Sequence, residues 1–200
     1  MELLPGDILS MRIPQPDPAS GDLLIAEPLV DEGCFQRSTV LVIDHDSEVG
    51  TMGLVTNRMC NLKLADIING IEVKEEFPVY IGGPVHTERL YYIHRYGSMI
   101  PNAAEVVPDL WVGGDFNNIR EVINSGVAIE GNIRFFVGYS GWEKGQLRSE
   151  LDRFGWAVGS IDSVEDIFTL KENEAWRRAV ESLGPRYRVW LNFPTDVQMN

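Results

Sequence analysis

The segment Asn132-Ile-Arg-Phe-Phe-Val-Gly-Tyr-Ser-Gly-Trp142 joins a strong strand signal to a glycine-rich turn signal. Its apolar half, Asn132–Val137, is typical of a buried strand, and its two later glycines favour a sharp turn. The stretch that follows, Gly145–Arg153, places Leu147 and Leu151 four residues apart, as on one face of a helix. The sequence therefore predicts a strand, a turn and a helix in this order.

Five further apolar runs predict strands on the N-terminal side of this segment. Gly, Pro and Asp residues bound these runs and favour turns between them. The runs are Leu23–Ala26, Ser38–Ile43, Met52–Thr56, Pro78–Ile81 and Leu90–His94. We expect the second and third to pair as a hairpin, and Gly82-Gly-Pro84 to form a tight turn between the fourth and fifth.

Helix signals are fewer. Asn61–Gly70 and Asp115–Gly126 each begin with a good N-cap residue and end at a glycine, so each predicts a helix. Ser163 begins a capping-box-like pattern, and a last helix is expected to stop at Gly184. The apolar run Arg188–Leu191 then predicts a strand that closes a sheet.

The order of these elements predicts an α+β fold with a mixed sheet, because strands outnumber helices and do not alternate regularly with them. With 200 residues, 44% of them hydrophobic, the chain can bury a core of its own. Residues 1–20 contain three closely spaced prolines and are expected to form an irregular N-terminal arm. Residues 21–200 are expected to form a single domain.

Composition excludes several classes of function. A net charge of −13 repels phosphate and disfavours direct binding of nucleic acid. Only Cys34 and Cys60 are present, which fits a reducing compartment without disulfides. The acidic start and the lack of any apolar run near ~18 residues predict a cytoplasmic protein without a membrane span.

Two segments could carry catalysis. Ser140 lies where a nucleophile elbow would place its serine, but Trp142 replaces the glycine of that motif, and every histidine precedes Ser140 in the chain. The segment Asp44-His45-Asp46 offers metal ligands, although neighbouring strand residues point to opposite faces. Neither pattern is strong, so no catalytic residue, metal or cofactor is predicted. A hydrolase or metal-dependent enzyme that uses these residues is kept as the alternative.

Residues at strand ends give the best binding hypothesis. If their strands pair, Arg37 and Arg58 could approach one carboxylate or phosphate with forked hydrogen bonds. Gly82-Gly83 and Gly113-Gly114 could let the backbone approach a phosphate, although Asp115 would repel one at the second turn. The predicted binding surface comprises Arg37, Asn57, Arg58, Gly82, Gly83, Tyr139, Trp142 and Gln146. Its expected occupant is a small anionic ligand or a protein partner.

Four blocks of motifs in this order resemble the bacterial AlgH/YqgE family. They are Phe35–Val40, Gly50–Arg58 preceded by His45, Gly82–Val85 and Gly138–Leu147, and the resemblance covers residues 21–184. It implies a bifurcated sheet that includes a small barrel wrapped by helices. It also implies a cytoplasmic protein with no established enzyme activity, and one branch of the family is named as a transcriptional regulator. Family members usually have alanine at the position of Ser140.

The sequence thus predicts a non-enzymatic regulatory protein that binds a ligand or a partner.

Overall fold

Ten strands form a mixed sheet in the computed structural model, which describes residues 13–30, 33–69, 71, 77–125, 130–153 and 155–194. All strand pairs are antiparallel except that of β5 with β9. The strands are β1 Leu23–Ala26, β2 Thr39–Asp46, β3 Gly50–Val55, β4 Met59–Lys63, β5 Pro78–Ile81, β6 Val85–His94, β7 Ala104–Val107, β8 Leu110–Val112, β9 Ile133–Glu143 and β10 Trp156–Gly159.

Five α-helices and three 3-10 helices complete the described part of the chain. None of them is long and apolar enough to cross a membrane. The α-helices are α1 Leu64–Ile67, α2 Phe116–Asn124, α3 Gln146–Asp152, α4 Val164–Thr169 and α5 Glu172–Ser182, and the 3-10 helices are Gly33–Phe35, Gly97–Met99 and Pro185–Asn192. Strands and helices together confirm the predicted α+β class.

The sheet forks at β9, as the bifurcated fold requires. One edge of β9 pairs with β6, while the other edge pairs with β5 over residues 135–137 and with β3 over residues 140–143. From β3 the sheet continues through β2 and β1 to β10, and from β5 it continues to β4. Phe135 and Phe136 point to opposite faces of β9 and enter two different apolar clusters, so this strand is buried on both sides.

The expected small barrel is not closed. The sheet curls until β7 reaches Gly21, where an added Cβ would lie 2.4 Å from Val107 Cγ1. However, β1 already pairs with β2 on one edge and with β10 on the other. Because β1 has no free edge, β7 cannot join it through a ladder of hydrogen bonds.

Gly82-Gly83 was predicted to form a tight turn between two adjacent strands, but in the structure this segment crosses over the main chain of β9. Strands β5 and β6 lie on opposite edges of β9, so the segment that joins them passes over β9. A Cβ on Gly83 would lie 2.3 Å from the carbonyl carbon and oxygen of Tyr139, and one on Gly138 would lie 2.5 Å from the carbonyl oxygen of Gly83. Only glycine fits such a close approach of two main chains.

Three predicted elements are corrected. Gly138–Trp142 is not a turn before a helix, because its pairing with Gly50–Gly53 extends β9 through Glu143. Asn61 is not a helix cap, since it lies in β4, and α1 starts after Lys63, whose amide donates to the Asp66 carboxylate.

Arg188–Leu191 is not a strand. It belongs to the 3-10 helix Pro185–Asn192, in which Tyr187 and Trp190 pack against the cluster around Ile25 and Trp176. The predicted helix ends at Gly70 and Gly126 lie outside the described residues.

Candidate functional site

Asn57 lies in the interior of the protein, where it joins separate segments of the chain by hydrogen bonds. It is fully buried, and its side-chain oxygen accepts from the amide of Thr39 at 3.0 Å. Its side-chain nitrogen donates to the carbonyl oxygens of Arg37, at 2.9 Å, and Glu172, at 2.8 Å. These three bonds join strand β2 to the start of helix α5. A buried amide with its bonds satisfied in this way is a structural element.

Arg37 is also internal, since only 6% of its surface is exposed. Its guanidinium lies 4.7 Å from the centroid of the Trp176 ring and donates to the carbonyl oxygens of Phe193 and Pro194 and to the side chain of Asn173. Burial lowers the pKa of this guanidinium from its ordinary value. Arg37 therefore anchors the C-terminal segment.

Arg58 does not converge with Arg37. Its side chain is half-buried and donates from Nε to the carbonyl oxygen of Cys34 at 3.3 Å. The two arginines thus have separate carbonyl partners in different segments, so the forked anion site expected from the sequence is not formed by this arrangement.

Trp142 and Gln146 belong to a cluster organised by Glu150. One carboxylate oxygen of Glu150 accepts from the indole nitrogens of Trp142, at 2.9 Å, and Trp156, at 2.8 Å. The other oxygen accepts from the Gln146 amide at 3.0 Å. The two indole rings lie edge to face with centroids 5.9 Å apart, and Phe35 packs against both. We call these five residues the Glu150 cluster, and they hold α3 and β10 to the fork of the sheet.

Tyr139 lies on the other face of β9 from Trp142. Its ring stacks on His86 with centroids 6.0 Å apart and meets the edge of Tyr91 at 5.7 Å. Gly141 leaves room for the ring, since a Cβ there would lie 3.0 Å from Tyr139 Cε2. The eight residues of the predicted surface are therefore not brought together on one face.

The candidate nucleophile Ser140 is fully buried, and its hydroxyl donates to the carbonyl oxygen of Gly82 at 3.0 Å. It lies in the middle of a strand and not on an exposed elbow. The histidine side chains bond elsewhere: His45 bonds Thr51, His86 bonds Glu88, and His94 bonds the backbone of Gly113. Within the described part of the chain, no histidine is therefore hydrogen-bonded to Ser140.

The segment Asp44-His45-Asp46 lies at the end of β2 and does not gather into a ligand set. His45 uses Nδ1 for a 2.7 Å bond with the Thr51 hydroxyl. Asp46 accepts from the amides of Glu48 and Val49 in the hairpin turn. The described ranges of the chain contain no group of three His, Cys, Asp or Glu side chains that could hold a metal ion.

An open groove that the sequence did not predict lies between α1, β6, β8 and the start of α2. Its volume is about 730 Å³, and its walls are mainly apolar and aromatic. Its lining is formed by Ile67, Ile68, Asn69, Glu88, Leu90, Tyr91, Tyr92, Val112, Gly113, Gly114 and Phe116. Pockets of ~300–1,000 Å³ with apolar walls and few polar groups are typical ligand sites.

Gly113 and Gly114 form one wall of this groove, which we call the glycine wall, and two hydrogen bonds hold it in place. The Tyr92 hydroxyl donates to the carbonyl oxygen of Gly114 at 2.7 Å, and His94 bonds that of Gly113 at 3.1 Å. Burial, followed by the charge of Asp115, raises the pKa of Tyr92, so the hydroxyl keeps its proton. Gly114 has φ +109°, and a Cβ there would lie 2.6 Å from the side chain of Ile100. The wall is thus a preformed feature that depends on glycine.

The charge of the groove is negative. Glu88 is the charged residue of the lining, and neither lysine nor arginine lines it within the described ranges. Asp115 lies between two lining residues, where it caps α2 by accepting from the amide of Asn117 at 2.8 Å. The Gly113-Gly114 pair was the one sequence signal for this place. Its partners on α1 and β6 are distant in the chain, so the groove could not be read from local pattern.

A second cleft lies between β1 and helices α4 and α5. Thr39, Thr56, Ser163 and Arg178 contribute to its lining, and its cavity volume is about 40 Å³. About 10–15 Å³ of such volume holds one water molecule, so this cleft has room for about three waters. It is too small for an organic ligand without rearrangement.

These features define an α+β protein whose motifs build a forked sheet and whose surface carries an open, acidic, mainly apolar groove. The chain belongs to the AlgH-like family, whose model matches residues 23–188. A UPF0301 protein from Parabacteroides distasonis is 40% identical over 184 residues, which cover 92% of each chain. A UPF0301 protein from Bacteroides thetaiotaomicron is 37% identical over 188 residues and 94% of each chain. The family predicted from the four motif blocks is confirmed.

Two solved structures share the fold. A crystal structure of a protein from Corynebacterium diphtheriae superposes with a TM-score of 0.73 at 20% identity and covers 90% of this chain and 95% of that one. The solution structure of the AlgH protein from Pseudomonas aeruginosa gives a TM-score of 0.68 at 26% identity and covers 92% of this chain and 100% of that one. Both likenesses agree with the predicted fold class.

Proposed function

We propose that this chain is a non-enzymatic regulatory protein of the cytoplasm, folded as one domain, that acts by binding a ligand or partner in the groove beside Gly113 and Gly114. The observation that carries the proposal is the groove itself. It is mainly apolar, about 730 Å³ in volume, and its glycine wall is held in place by Tyr92 and His94. A preformed apolar groove with few polar groups is suited to recognition.

The contrast with the candidate catalytic groups supports this choice. The Ser140 hydroxyl is buried against a carbonyl oxygen, whereas a nucleophile needs an exposed position and a base within hydrogen-bond reach. In the groove, by comparison, Leu90 and Phe116 are only half-buried and can contact a second molecule. When a partner covers half-exposed apolar side chains on a concave surface, apolar area is removed from water, and this favours association.

The test uses a matched pair of filling substitutions. Leu90→Trp places extra bulk in the groove, which Leu90 lines from the same apolar cluster as Tyr92 and Phe116, whereas Val49→Trp places a tryptophan at the β2–β3 hairpin tip, where Val49 is 77% exposed. Thermal unfolding is measured with a panel of nucleotides, metabolites, divalent metals and peptides. A ligand at ~100 times its Kd adds about 2.7 kcal/mol, or several degrees in Tm.

We expect at least one panel member to raise the Tm of the wild-type protein and of Val49→Trp but not that of Leu90→Trp. An equal shift in Leu90→Trp would place binding outside the groove and contradict the proposal.

A further inference from the structure

We infer that the occupant of the groove is a peptide segment of a partner protein that carries a lysine or arginine next to an apolar side chain. This inference rests on the proposed function, because it names the chemistry of the molecule bound at the same site. Three properties of the groove support it: its open shape, its aromatic walls and its charge.

The shape favours a peptide over a small molecule. The groove is open to solvent instead of being enclosed. A small molecule gains most when a pocket buries ~70–90% of its surface. An extended peptide, in contrast, can leave one side of its backbone in water while it inserts selected side chains.

The walls accept an apolar side chain. Leu90 and Phe116 are half-buried, and the Phe116 ring lies 6.2 Å from that of Tyr92, so apolar and aromatic surface is contiguous. The face of Phe116 also attracts cations, because an aromatic face carries negative charge density. A residue with an apolar stem and a cationic end uses both properties.

The charge selects the cationic end. Glu88 lines the groove, and Asp115 lies beside it between Gly114 and Phe116. The carbonyl oxygens of Gly113 and Gly114 accept one hydrogen bond each from His94 and Tyr92, and a carbonyl oxygen has two lone pairs. The groove therefore offers hydrogen-bond acceptors and a negative field to an ammonium or guanidinium group, whereas an anion would be repelled.

Glu88 already contacts two basic side chains, His86 at 3.0 Å and Arg89 at 3.8 Å. The Glu88 side chain is 67% exposed, and such surface pairs contribute little to stability. Replacing these contacts with a contact to a bound cation therefore costs little free energy.

The experiment is a ¹⁵N NMR titration with three capped peptides that differ at one position, Ala-Leu-Phe-Lys-Ala, Ala-Leu-Phe-Gln-Ala and Ala-Leu-Phe-Glu-Ala. We expect the lysine peptide to shift the amide signals of Val112, Gly113 and Gly114 and to bind most tightly, with the glutamate peptide weakest. One partly exposed ion pair changes the Kd by about twofold to fivefold.

Variants of the protein assign the preference to named carboxylates. Glu88→Gln and Asp115→Asn should each reduce the advantage of the lysine peptide by about twofold to fivefold, and asparagine still caps α2. Glu143→Gln makes the same change in net charge on an exposed residue at the far end of β9, and it should leave the advantage intact.

The outcomes separate the inference from the function on which it rests. If the glutamine or glutamate peptide shifts the groove amides with equal affinity, the cationic specificity is wrong while binding in the groove stands. If none of the peptides shifts the groove amides, the peptide occupant is wrong, and the thermal melts of the groove-filling variant then decide whether another ligand binds in the groove.

Discussion

Glu150 shows how one side chain can account for a sequence motif. The tryptophan and glutamine of the Gly138–Leu147 block both bond its carboxylate, together with Trp156 from β10. An acceptor shared by two indole groups fixes two large rings at once. Trp142 and Gln146 were candidates for a binding surface, but in the structure they are packing residues at the fork of the sheet.

Loss of this acceptor should destabilise the protein. Glu150→Ala leaves two largely buried indole N–H groups without a partner, and each such group costs about 1–3 kcal/mol. We expect a Tm several degrees lower in a thermal melt. Glu150→Gln keeps a carbonyl oxygen for the indoles and should lose less. Glu143→Ala, an exposed control, should stay within ~0.5 kcal/mol of wild type. A Glu150→Ala protein as stable as this control would refute the role assigned to the carboxylate.

His94 makes the wall of the groove sensitive to pH. Its Nδ1 accepts from the amide of Tyr96 at 3.2 Å and its Nε2 faces the Gly113 carbonyl at 3.1 Å, so the bonds fit a neutral ring with the proton on Nε2. Burial lowers the pKa of His94 below the ordinary 6.5. Protonation of Nδ1 would put a donor against the Tyr96 amide.

The sign of the pH effect follows from this lowered pKa. Below pH 6.5 the unfolded chain binds a proton that folded His94 still rejects, so stability falls as the pH drops from 6.5 toward the folded pKa. Above pH 6.5 the full contribution is present. We expect the ring signals of His94 to titrate below pH 6.5 in an NMR experiment. A titration midpoint at or above that value would show that the ring is not held neutral.

The crossing of the β5–β6 link over β9 is the element that sets the topology. Gly82, Gly83 and Gly138 bring two main chains into contact, and the carbonyl oxygen of Gly82 then accepts from the amide of Val55 at 2.9 Å. The crossing therefore joins the two branches of the sheet, and any side chain on these glycines would push the branches apart.

Gly83→Ala should be among the most damaging single substitutions. Its Cβ would lie 2.3 Å from the Tyr139 backbone at a φ of +153°. We expect a loss of at least about 3 kcal/mol in urea unfolding. Gly145→Ala is the matched control, since Gly145 also has positive φ, +73°, but an added Cβ has no neighbour within 4 Å. It should cost only ~1–2 kcal/mol. Equal costs for the two variants would mean that the crossing tolerates a side chain.

Local pattern predicted some elements well and missed others for physical reasons. Strand β1 and helix α2 carry their own signals, an apolar run and an N-cap aspartate that accepts from the amide two residues on. Strand β7 is as short as β1, but its first two residues, Ala104 and Glu105, are exposed, so it lacks a continuous apolar run, and β8 has only three residues. The Gly138–Trp142 segment has the composition of a turn, but pairing with β3 holds it extended.

The candidate site was less predictable than the fold. The groove joins α1, which follows β4, to β6, β8 and the start of α2, and no local signal reports that these elements meet. The motif residues that drew attention, such as Arg37 and Asn57, are prominent because they are polar. In the structure, both side chains are buried and donate hydrogen bonds to backbone carbonyl oxygens of other segments.

At the scale of the whole molecule, the net charge of −13 bears on the kind of partner that we propose. Double-stranded DNA binds proteins largely through neutralisation of its phosphates by lysine and arginine. An acidic chain with an acidic groove offers the opposite field, which favours basic partners. A regulatory role, if it involves transcription, would then proceed through a protein.

This charge predicts the result of a gel-shift assay. Duplex DNA should show no change in mobility with the purified protein, even at low salt, where phosphate contacts are strongest. Tight binding at low salt that weakens steeply as salt rises would contradict the charge argument and would indicate a basic surface that acts independently of the net charge.

The most direct test of the central claim, that the groove receives a protein partner, is photocrosslinking in living cells. The photoreactive amino acid p-benzoylphenylalanine replaces Phe116, which lines the groove and is half-buried, or Val49 at the hairpin tip, which serves as the control. We predict a discrete crosslinked species for position 116 that is absent for position 49 and is weakened by Glu88→Gln. No crosslink at position 116, or the same species from both positions, would contradict the claim that the groove receives a protein partner.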